Sequence, residues 1–505
     1  MKTQFKRVLV AGAGVSGAGC ARALVQLGAD VIIADNNLAA ASALAEELEQ
    51  FLTLDKGAHG SADRVPRVIP VAATAVDFEG DRELAALDLV VTSPGWPPHA
   101  PLLIAAQRAG LEGIGDVELG FRLDRAGVYG PCRDWLVVTG TNGKTTTTGM
   151  LASIMDAHGA RVGKRAMATG NIGASVFEAL AAPPRGDILV RAASSFQLHW
   201  APTLIPDVGV LLNIADDHID WHGSFAAYAA DKATVLRAAK RVVGIDDAEA
   251  RRISDERDAA ADVGGTGITR GFTQYAPITG QVGVRDRALG LAGEALAGEG
   301  LDSESAQEFA ITELAQIEGL QPPGAAGILD AGAAAAAAYD YGVAPHDIAA
   351  GLARYRVAAH RGAVVATIAG VDYIDNSKAT NPHAAQAAMA GLESIIWVAG
   401  GQLKGASVEE LVRTEAHRLK AVVLIGVDRH TIADTLHKRA PGIPVEIISE
   451  QDPQRCMDLA VAAAHRQASA GDTVLLAPAA ASLDMFSGMA QRGDLFARAT
   501  SDYSG

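Results

Sequence analysis

A chain of 505 residues, 49% hydrophobic and 20% charged, has the length for two to four soluble domains. Its net charge of −16, with no basic stripe or interleaved aromatics, excludes a dedicated nucleic-acid binder, although single Lys or Arg residues and backbone amides can still hold anionic substrates. No apolar run reaches the roughly 18 residues that span a bilayer, and three cysteines without metal-ligand spacing (Cys20, Cys132, Cys456) suit a reducing, cytoplasmic compartment.

Lys2, Lys6 and Arg7 ahead of an apolar stretch ending at Cys20 imitate a lipoprotein signal, but glycines interrupt the run at dinucleotide-type spacing. Val8 to Val10 predicts a buried strand, Gly12-Ala13-Gly14-Val15-Ser16-Gly17 a phosphate-facing turn, and the residues to Leu27 a helix. A second strand, Val31 to Ala34, ends at Asp35, where an acid can meet a ribose hydroxyl or a base. The pattern points to a phosphorylated, nucleotide-like ligand without specifying a nicotinamide. Leu87 to Val91 predicts another strand; Thr92-Ser93-Pro94-Gly95 is then either its ligand-facing loop or a simple turn. The first domain closes at residue 114.

Trp135 to Val138 is β-branched and apolar, and feeds Gly140-Thr141-Asn142-Gly143-Lys144-Thr145-Thr146 ahead of a helical stretch. Strand, glycine loop and helix in that order cradle phosphates: backbone N–H groups point inward, the helix N-terminus and Lys144 add positive charge, and the Thr145 hydroxyl can hold Mg²⁺. The longer G-x-x-x-x-G-K-[ST] form would need glycine where Val138 stands, so the match is to G-T-N-G-K-T. Further landmarks are Gly170-Asn171-Ile172-Gly173, a strand from Ile188 to Arg191, Ser194-Ser195-Phe196-Gln197, and a strand from Val208 to Ile214. Asp216-Asp217-His218 follows, compatible with a metal ligand, a general base or a solvated loop; Lys232 by itself reads as a surface lysine. Residues 251–325 give only short alternating patches (Ile268 to Val284) and an acidic run (Leu301 to Glu313), while Ala333 to Ala338 predicts a close-packed helix.

The second domain spans 115–356 and a third runs over 357–505. The third holds His360-Arg361, the strand Tyr373-Ile374, Asn376-Ser377-Lys378-Ala379-Thr380-Asn381, the strand Ile395 to Val398 with Lys404 beyond, the strand Ala421 to Ile425, and Thr473 to Leu476 leading to Ala481-Ser482-Leu483-Asp484. Strands alternate with helices throughout, which predicts an α/β protein of parallel sheets with ligands at the C-terminal strand ends. The expected architecture is a Rossmann-like N-terminal domain, a central P-loop ATPase-like parallel-sheet domain and a Rossmann-like C-terminal domain.

In this order and spacing, the phosphate loop, Asn171-Ile172-Gly173, Ser194 to Leu198, Asp217-His218-Ile219-Asp220, Ser377 to Asn381, Ala481 to Asp484 and Gln491-Arg492-Gly493 resemble the Mur ligase family along nearly the whole chain. The resemblance implies a monomeric, ATP- and Mg²⁺-dependent ligase of peptidoglycan precursor synthesis. Such an enzyme phosphorylates the carboxylate of UDP-N-acetylmuramoyl-L-alanine and presents the acyl phosphate to the amine of D-glutamate. It also implies roles: ATP on residues 140–146 and Arg361, with Lys144 on the β,γ-phosphates; Mg²⁺ on Thr145, and on His218 with a carbamylated Lys232. The UDP-sugar falls to Val15, Ser16, Asp35, Ser93, Pro94, Gly95, Asn171, Ser194 and Gln197, and D-glutamate to Lys378, Thr380, Lys404, Ser482 and Leu483.

Departures from the family pattern fall on acids. Ala192 stands where a Mg²⁺-binding glutamate is usual, with Arg191 beside it in place of an apolar residue; Asn376, Ala363 and Ala490 replace acids, Met489 an aromatic, and Asp330 an asparagine. Two other readings therefore stay open: a relative that binds the UDP-sugar without turnover, and, from Gly12 to Asp35 alone, a nicotinamide-dependent oxidoreductase.

Overall fold

The structure, a computed structural model, describes residues 5–54, 65–78, 80, 84, 86–170, 175–261, 267–295, 309–357, 359–390 and 392–503. Three sheets organise it. The first holds β1 (Arg7–Ala11), β2 (Asp30–Asp35), β3 (Val68–Ala72), β4 (Leu89–Thr92) and β5 (Gly113–Gly115), all parallel, in the order β3-β2-β1-β4-β5. Strand order reverses between β1 and β4, so the loops leaving them, at Gly12 and Ser93, flank the crevice where such sheets bind ligands. Val8 to Ala11 are all buried because helices cover both faces, which is why the strand reads as a continuous apolar run. Cys20 lies buried within the helix Val15–Gln26, as a core residue and not an exposed acylation site.

The second sheet comprises β6 (Asp134–Thr139), β7 (Ala166–Thr169), β8 (Ile188–Ala192), β9 (Val208–Leu211), β10 (Lys240–Gly244), β11 (Ile268–Phe272), β12 (Val282–Arg285), β13 (Ala288–Ala295) and β14 (Phe309–Gln316). Its order is β14-β13-β12-β11-β10-β9-β6-β8-β7. The central strands are parallel, as expected, and β12, β13 and β14 extend the sheet as an antiparallel meander. The poorly legible stretch after residue 267 holds the parallel strand β11 and this meander; residues 296–308, with most of the acidic run, lie outside the described residues. β6 is anchored by a buried knot: Asp124 accepts from the Arg133 guanidinium at 2.6 Å and from the Trp135 indole N–H at 3.0 Å. The helix Ala325–Tyr341 packs on the helix Lys144–Val162, and Ala333 to Ala338 are fully buried, their methyl side chains permitting the close approach.

The third sheet holds β15 (Ala363–Ile368), β16 (Val371–Asp375), β17 (Ile395–Gly400), β18 (Leu419–Ile425), β19 (Val445–Ile447) and β20 (Thr473–Leu476), in the order β15-β16-β20-β17-β18-β19. Only β15 runs antiparallel to its neighbour, so this sheet is also mixed at its edge. The fold class is thus α/β with parallel-dominated sheets. Among the described residues, no helix is long and apolar enough to cross a membrane.

Candidate active site

β6 ends at Thr139, and the chain turns through Gly143, whose φ of 83° lies in the left-handed region and whose missing Cβ leaves room for the Asp330 carboxylate. Hydrogen bonds fix the loop before any ligand arrives: Thr141 N–H donates to Asn213 O (2.9 Å), Asn142 N–H to Asn213 Oδ1 (2.9 Å), and the Thr141 and Tyr228 hydroxyls meet at 2.9 Å. Lys144 Nζ donates to the carbonyls of Gly140 (2.7 Å) and Thr141 (2.8 Å), and Lys232 Nζ donates to the same Gly140 carbonyl at 2.7 Å. Two lysine nitrogens on one carbonyl oxygen disfavour each other's protonation.

The electrostatics agree. Removal from water pushes Lys144 down to about 8; Asp217 opposes this, while Arg361 and Lys378 from the third unit reinforce it. Lys232, only 2% exposed, is held well below its ordinary value by burial and by Lys144. His218 is also lowered, first by desolvation, and it feels both lysines and Asp217. Its backbone is left-handed (φ 52°) at the start of the helix Ile219–His222, and its ring packs on Phe196 at 4.6 Å between centroids. Lys144, His218 and Lys232 therefore influence one another's charge, and Arg361 and Lys378 act on Lys144. A polyanion such as a triphosphate fits this cluster, and neutral imidazole and amine suit metal ligation and carbamylation respectively. Thr145 and Thr146 open the helix beneath, with Thr146 buried.

Asp330 lies under the loop, where it accepts from Thr147 Oγ1 at 2.8 Å, and burial raises it to about 7. The folded protein therefore keeps a proton that the unfolded chain loses, so stability falls as pH rises from about 4 to about 7, by up to about 4 kcal/mol. Asp330→Asn retains an acceptor for Thr147 without that proton. Thermal unfolding across this window is expected to show a flatter pH dependence for the variant and a higher melting temperature at pH 8; parallel curves would remove Asp330 as the source.

In the first unit, Gly12, Gly14, Asp35, Ser93 and Gly95 line a cavity of about 590 Å³ together with Asn36, Trp96 and His99. Asp35 accepts from Ala13 N–H (2.7 Å) and Asn37 N–H (2.8 Å), bracing the glycine turn, and Ser93 Oγ is buried without a hydrogen-bond partner among the described residues. Val15 is 82% exposed beside this cavity. Ser16 Oγ donates to Asp116 (3.1 Å), which also accepts from Gln197 Nε2 (3.2 Å), joining the first and second units. Ser194 and Gln197 cap the helix Ser195–His199 reciprocally, a structural task in addition to the expected one. Asn171, with Ile172 and Gly173, lies outside the described residues.

The third unit gathers its predicted residues on the loops after β16, β17 and β20, three adjacent strands. Lys378 and Thr380 follow β16, Lys404 follows β17 in a left-handed conformation (φ 52°), and Ser482 (buried) and Leu483 (66% exposed) follow β20. Arg492, fully buried, ties the three loops: it donates to Ser377 O (2.9 Å) and Oγ (3.0 Å), Ala480 O (3.1 Å) and Gly400 O (3.3 Å). The Gln491-Arg492-Gly493 motif carried that signal, but its role in fastening the pocket was not readable from sequence; Asn36, Trp96 and His99 gave no signal at all.

At the departures, Ala192 ends β8 beside Val138, next to the phosphate loop. Arg191 is buried with, among the described residues, a single long bond to Thr169 Oγ1 (3.4 Å), and burial holds its guanidinium below its usual value against the pull of Asp116. Asp375 accepts from His360 Nδ1 at 2.6 Å and from Ser377 N–H at 2.9 Å, so an acid next to Asn376 orders this loop.

Residues 138–275 match the profile of the Mur ligase middle domain, residues 360–480 that of the Mur ligase, glutamate ligase domain, and residues 2–109 that of the alanine dehydrogenase/PNT C-terminal domain. The UDP-N-acetylmuramoylalanine–D-glutamate ligase of Corynebacterium diphtheriae is 50% identical over 98% of this chain and 96% of its own. The chain belongs to the Mur ligase family. The ligase of the same name from Mycolicibacterium smegmatis is 44% identical over 98% of this chain and 97% of its own. In fold, the chain is similar to the crystal structure of the UDP-N-acetylmuramate-alanine ligase MurC from Thermotoga maritima, with a TM-score of 0.52 and 15% identity over 99% of this chain and 100% of that one. The dehydrogenase-type match is confined to the first unit, whereas Mur ligase relatives span nearly the whole chain, so the oxidoreductase reading of Gly12 to Asp35 is not favoured.

Proposed function

We propose that this chain is the ATP-dependent ligase that joins D-glutamate to UDP-N-acetylmuramoyl-L-alanine during peptidoglycan precursor synthesis. The observation that carries the reading is the convergence of Lys144 and Lys232 on the Gly140 carbonyl, with His218 feeling the charge of both and Arg361 and Lys378 acting on Lys144. A carboxylate is a poor electrophile. Its oxygen attacks the γ-phosphorus of ATP, ADP leaves, the amine of D-glutamate adds to the acyl carbonyl, and phosphate departs with the former carboxylate oxygen. The protein's part is charge neutralisation and in-line positioning.

In this reading residues 140–146 and Arg361 hold ATP, with Lys144 on the transferring phosphoryl group. Thr145, His218 and a carbamate on Lys232 would hold Mg²⁺, which when bound neutralises charge on the phosphates. Carbamylation requires a neutral amine, and the depressed Lys232 supplies one: its nitrogen adds to CO₂ and releases a proton, converting the neutral amine into an anionic oxygen ligand. The cavity at Asp35, Ser93 and Gly95, with Val15, Ser16 and Pro94 at its edge, takes the uridine diphosphate; Asn171, Ser194 and Gln197 serve the muramoyl-alanine end. Lys378, Thr380, Lys404, Ser482 and Leu483 receive D-glutamate, whose two carboxylates suit lysines and hydroxyls. The working units are 1–114, 115–356 and 357–505 in a cytoplasmic monomer.

Phosphate release tests the proposal. With ATP, Mg²⁺ and UDP-N-acetylmuramoyl-L-alanine, release should require D-glutamate among amino acids offered; release with another amino acid, or binding of the UDP-sugar with no release, would contradict it. Because position 192 ends β8 beside the loop, Ala192→Glu is expected to restore a carboxylate ligand and lower the half-saturating Mg²⁺ concentration about tenfold. An unchanged Mg²⁺ titration would mean that another group fills that role.

A further inference from the structure

Beside the phosphate loop, three short helices meet at two imidazoles and a carboxylate. His199 ends the helix Ser195–His199, His222 ends Ile219–His222, and Asp231 lies in Phe225–Ala233. His222 Nδ1 stands 2.8 Å from Asp231 Oδ2, and His199 Nδ1 3.0 Å from the same oxygen. One ligand atom from each lies within 4.8 Å of the others. None of these residues belongs to the site described above.

The geometry points to a transition-metal site here: His199, His222 and Asp231 bind one Zn²⁺-class divalent ion. Two imidazole nitrogens and one carboxylate oxygen are a donor set that selects zinc-like metals over Mg²⁺, which prefers oxygen and water. At metal–ligand bonds of about 2.0–2.1 Å, neighbouring ligand atoms of a tetrahedral ion stand about 3.3 Å apart. The observed 2.8 and 3.0 Å need open by only a few tenths of an ångström, which side-chain rotation provides. Ser195 Oγ lies 3.0 Å from His222 Nε2. With that N–H donated to the serine, the Nδ1 lone pair faces the carboxylate, an arrangement that becomes attractive when a cation sits between them. His199, partly exposed, leaves a side open for a water ligand. Trp221 packs 4.5 Å from His222 and 5.3 Å from His199, and Trp200 lies 4.9 Å from His199, giving the ion an aromatic flank and a fluorescent reporter. The ion clips together the three helices that bring Ser194, His218 and Lys232 to the cleft, so its role is structural.

The test uses the full chain, stripped with a chelator and titrated with Co²⁺ in millimolar Mg²⁺, which occupies oxygen-rich sites. One equivalent of Co²⁺ per chain is expected, with the visible absorption of a four- or five-coordinate ion, quenching of tryptophan fluorescence, and displacement by Zn²⁺. His199→Gln, at the accessible ligand, and Asp231→Asn should each weaken binding about tenfold or more, while His218→Asn leaves the spectrum intact. Should Asp231→Asn fail to fold, His199→Gln decides. Substoichiometric Co²⁺, or binding lost with His218→Asn and kept with His199→Gln, overturns the proposal; the three residues would then be a hydrogen-bonded knot only.

Discussion

Lys144→Ala is expected to lower kcat/KM for phosphate release by on the order of a thousandfold, equivalent to about 4 kcal/mol of transition-state stabilisation. The ammonium group now spends its hydrogen bonds on the carbonyls of Gly140 and Thr141, where burial first, and then Arg361 and Lys378, bring it down to about 8. A triphosphate relieves that mutual repulsion, and the relief is greatest as charge spreads over the transferring phosphoryl group. The fold should not suffer. A lysine whose folded value is depressed costs stability where the unfolded chain would still bind the proton, so the ligand-free protein gains stability as pH rises from about 8 to about 10.5. Removing Lys144 removes its share of that rise. The variant should therefore show an unaltered or higher melting temperature at pH 7.5, together with the lost turnover; a lower melting temperature would make Lys144 structural.

Lys232→Ala is expected to cost about a hundredfold in turnover, the scale of losing a metal ligand or its immediate support. Bicarbonate should not rescue it, because no amine remains to add to CO₂. In wild-type protein supplied with ¹³CO₂, a carbamate carbon signal should appear and should be absent from the variant. Full turnover in Lys232→Ala would take the residue out of the chemistry and leave it as a buried donor to Gly140.

The sequence made the phosphate loop and the first crevice legible because their signals are local. A β-branched run, glycines forced by backbone geometry and a following helix occupy a dozen residues around Lys144, and the Gly12 turn with Asp35 is comparably compact. The antiparallel meander β12–β14 was not legible, since β12 and β13 carry glycines, β13 and β14 are rich in alanine, a weak strand former, and no helix-strand alternation marks them. β15 escaped for a related reason: it is an edge strand with Val364 exposed, so neither a buried run nor clean alternation announces it.

Within the site, roles came from the resemblance and placement from the fold. Nothing local to Lys232 distinguishes it from a surface lysine; burial against a loop 92 residues away does. Asp330 reaches the same loop from 183 residues beyond Thr147, and Arg492 reaches Ser377 from 115. His199, His222 and Asp231 each sit in an unremarkable helical context, and only the packing of three helices makes them neighbours.

Activation through an acyl phosphate is the claim on which the ligase account stands, and isotope transfer tests it directly. UDP-N-acetylmuramoyl-L-alanine carrying ¹⁸O in its alanine carboxylate, turned over with ATP and D-glutamate, should release phosphate containing one ¹⁸O atom for each amide bond formed. Phosphate free of ¹⁸O alongside amide product would contradict the account.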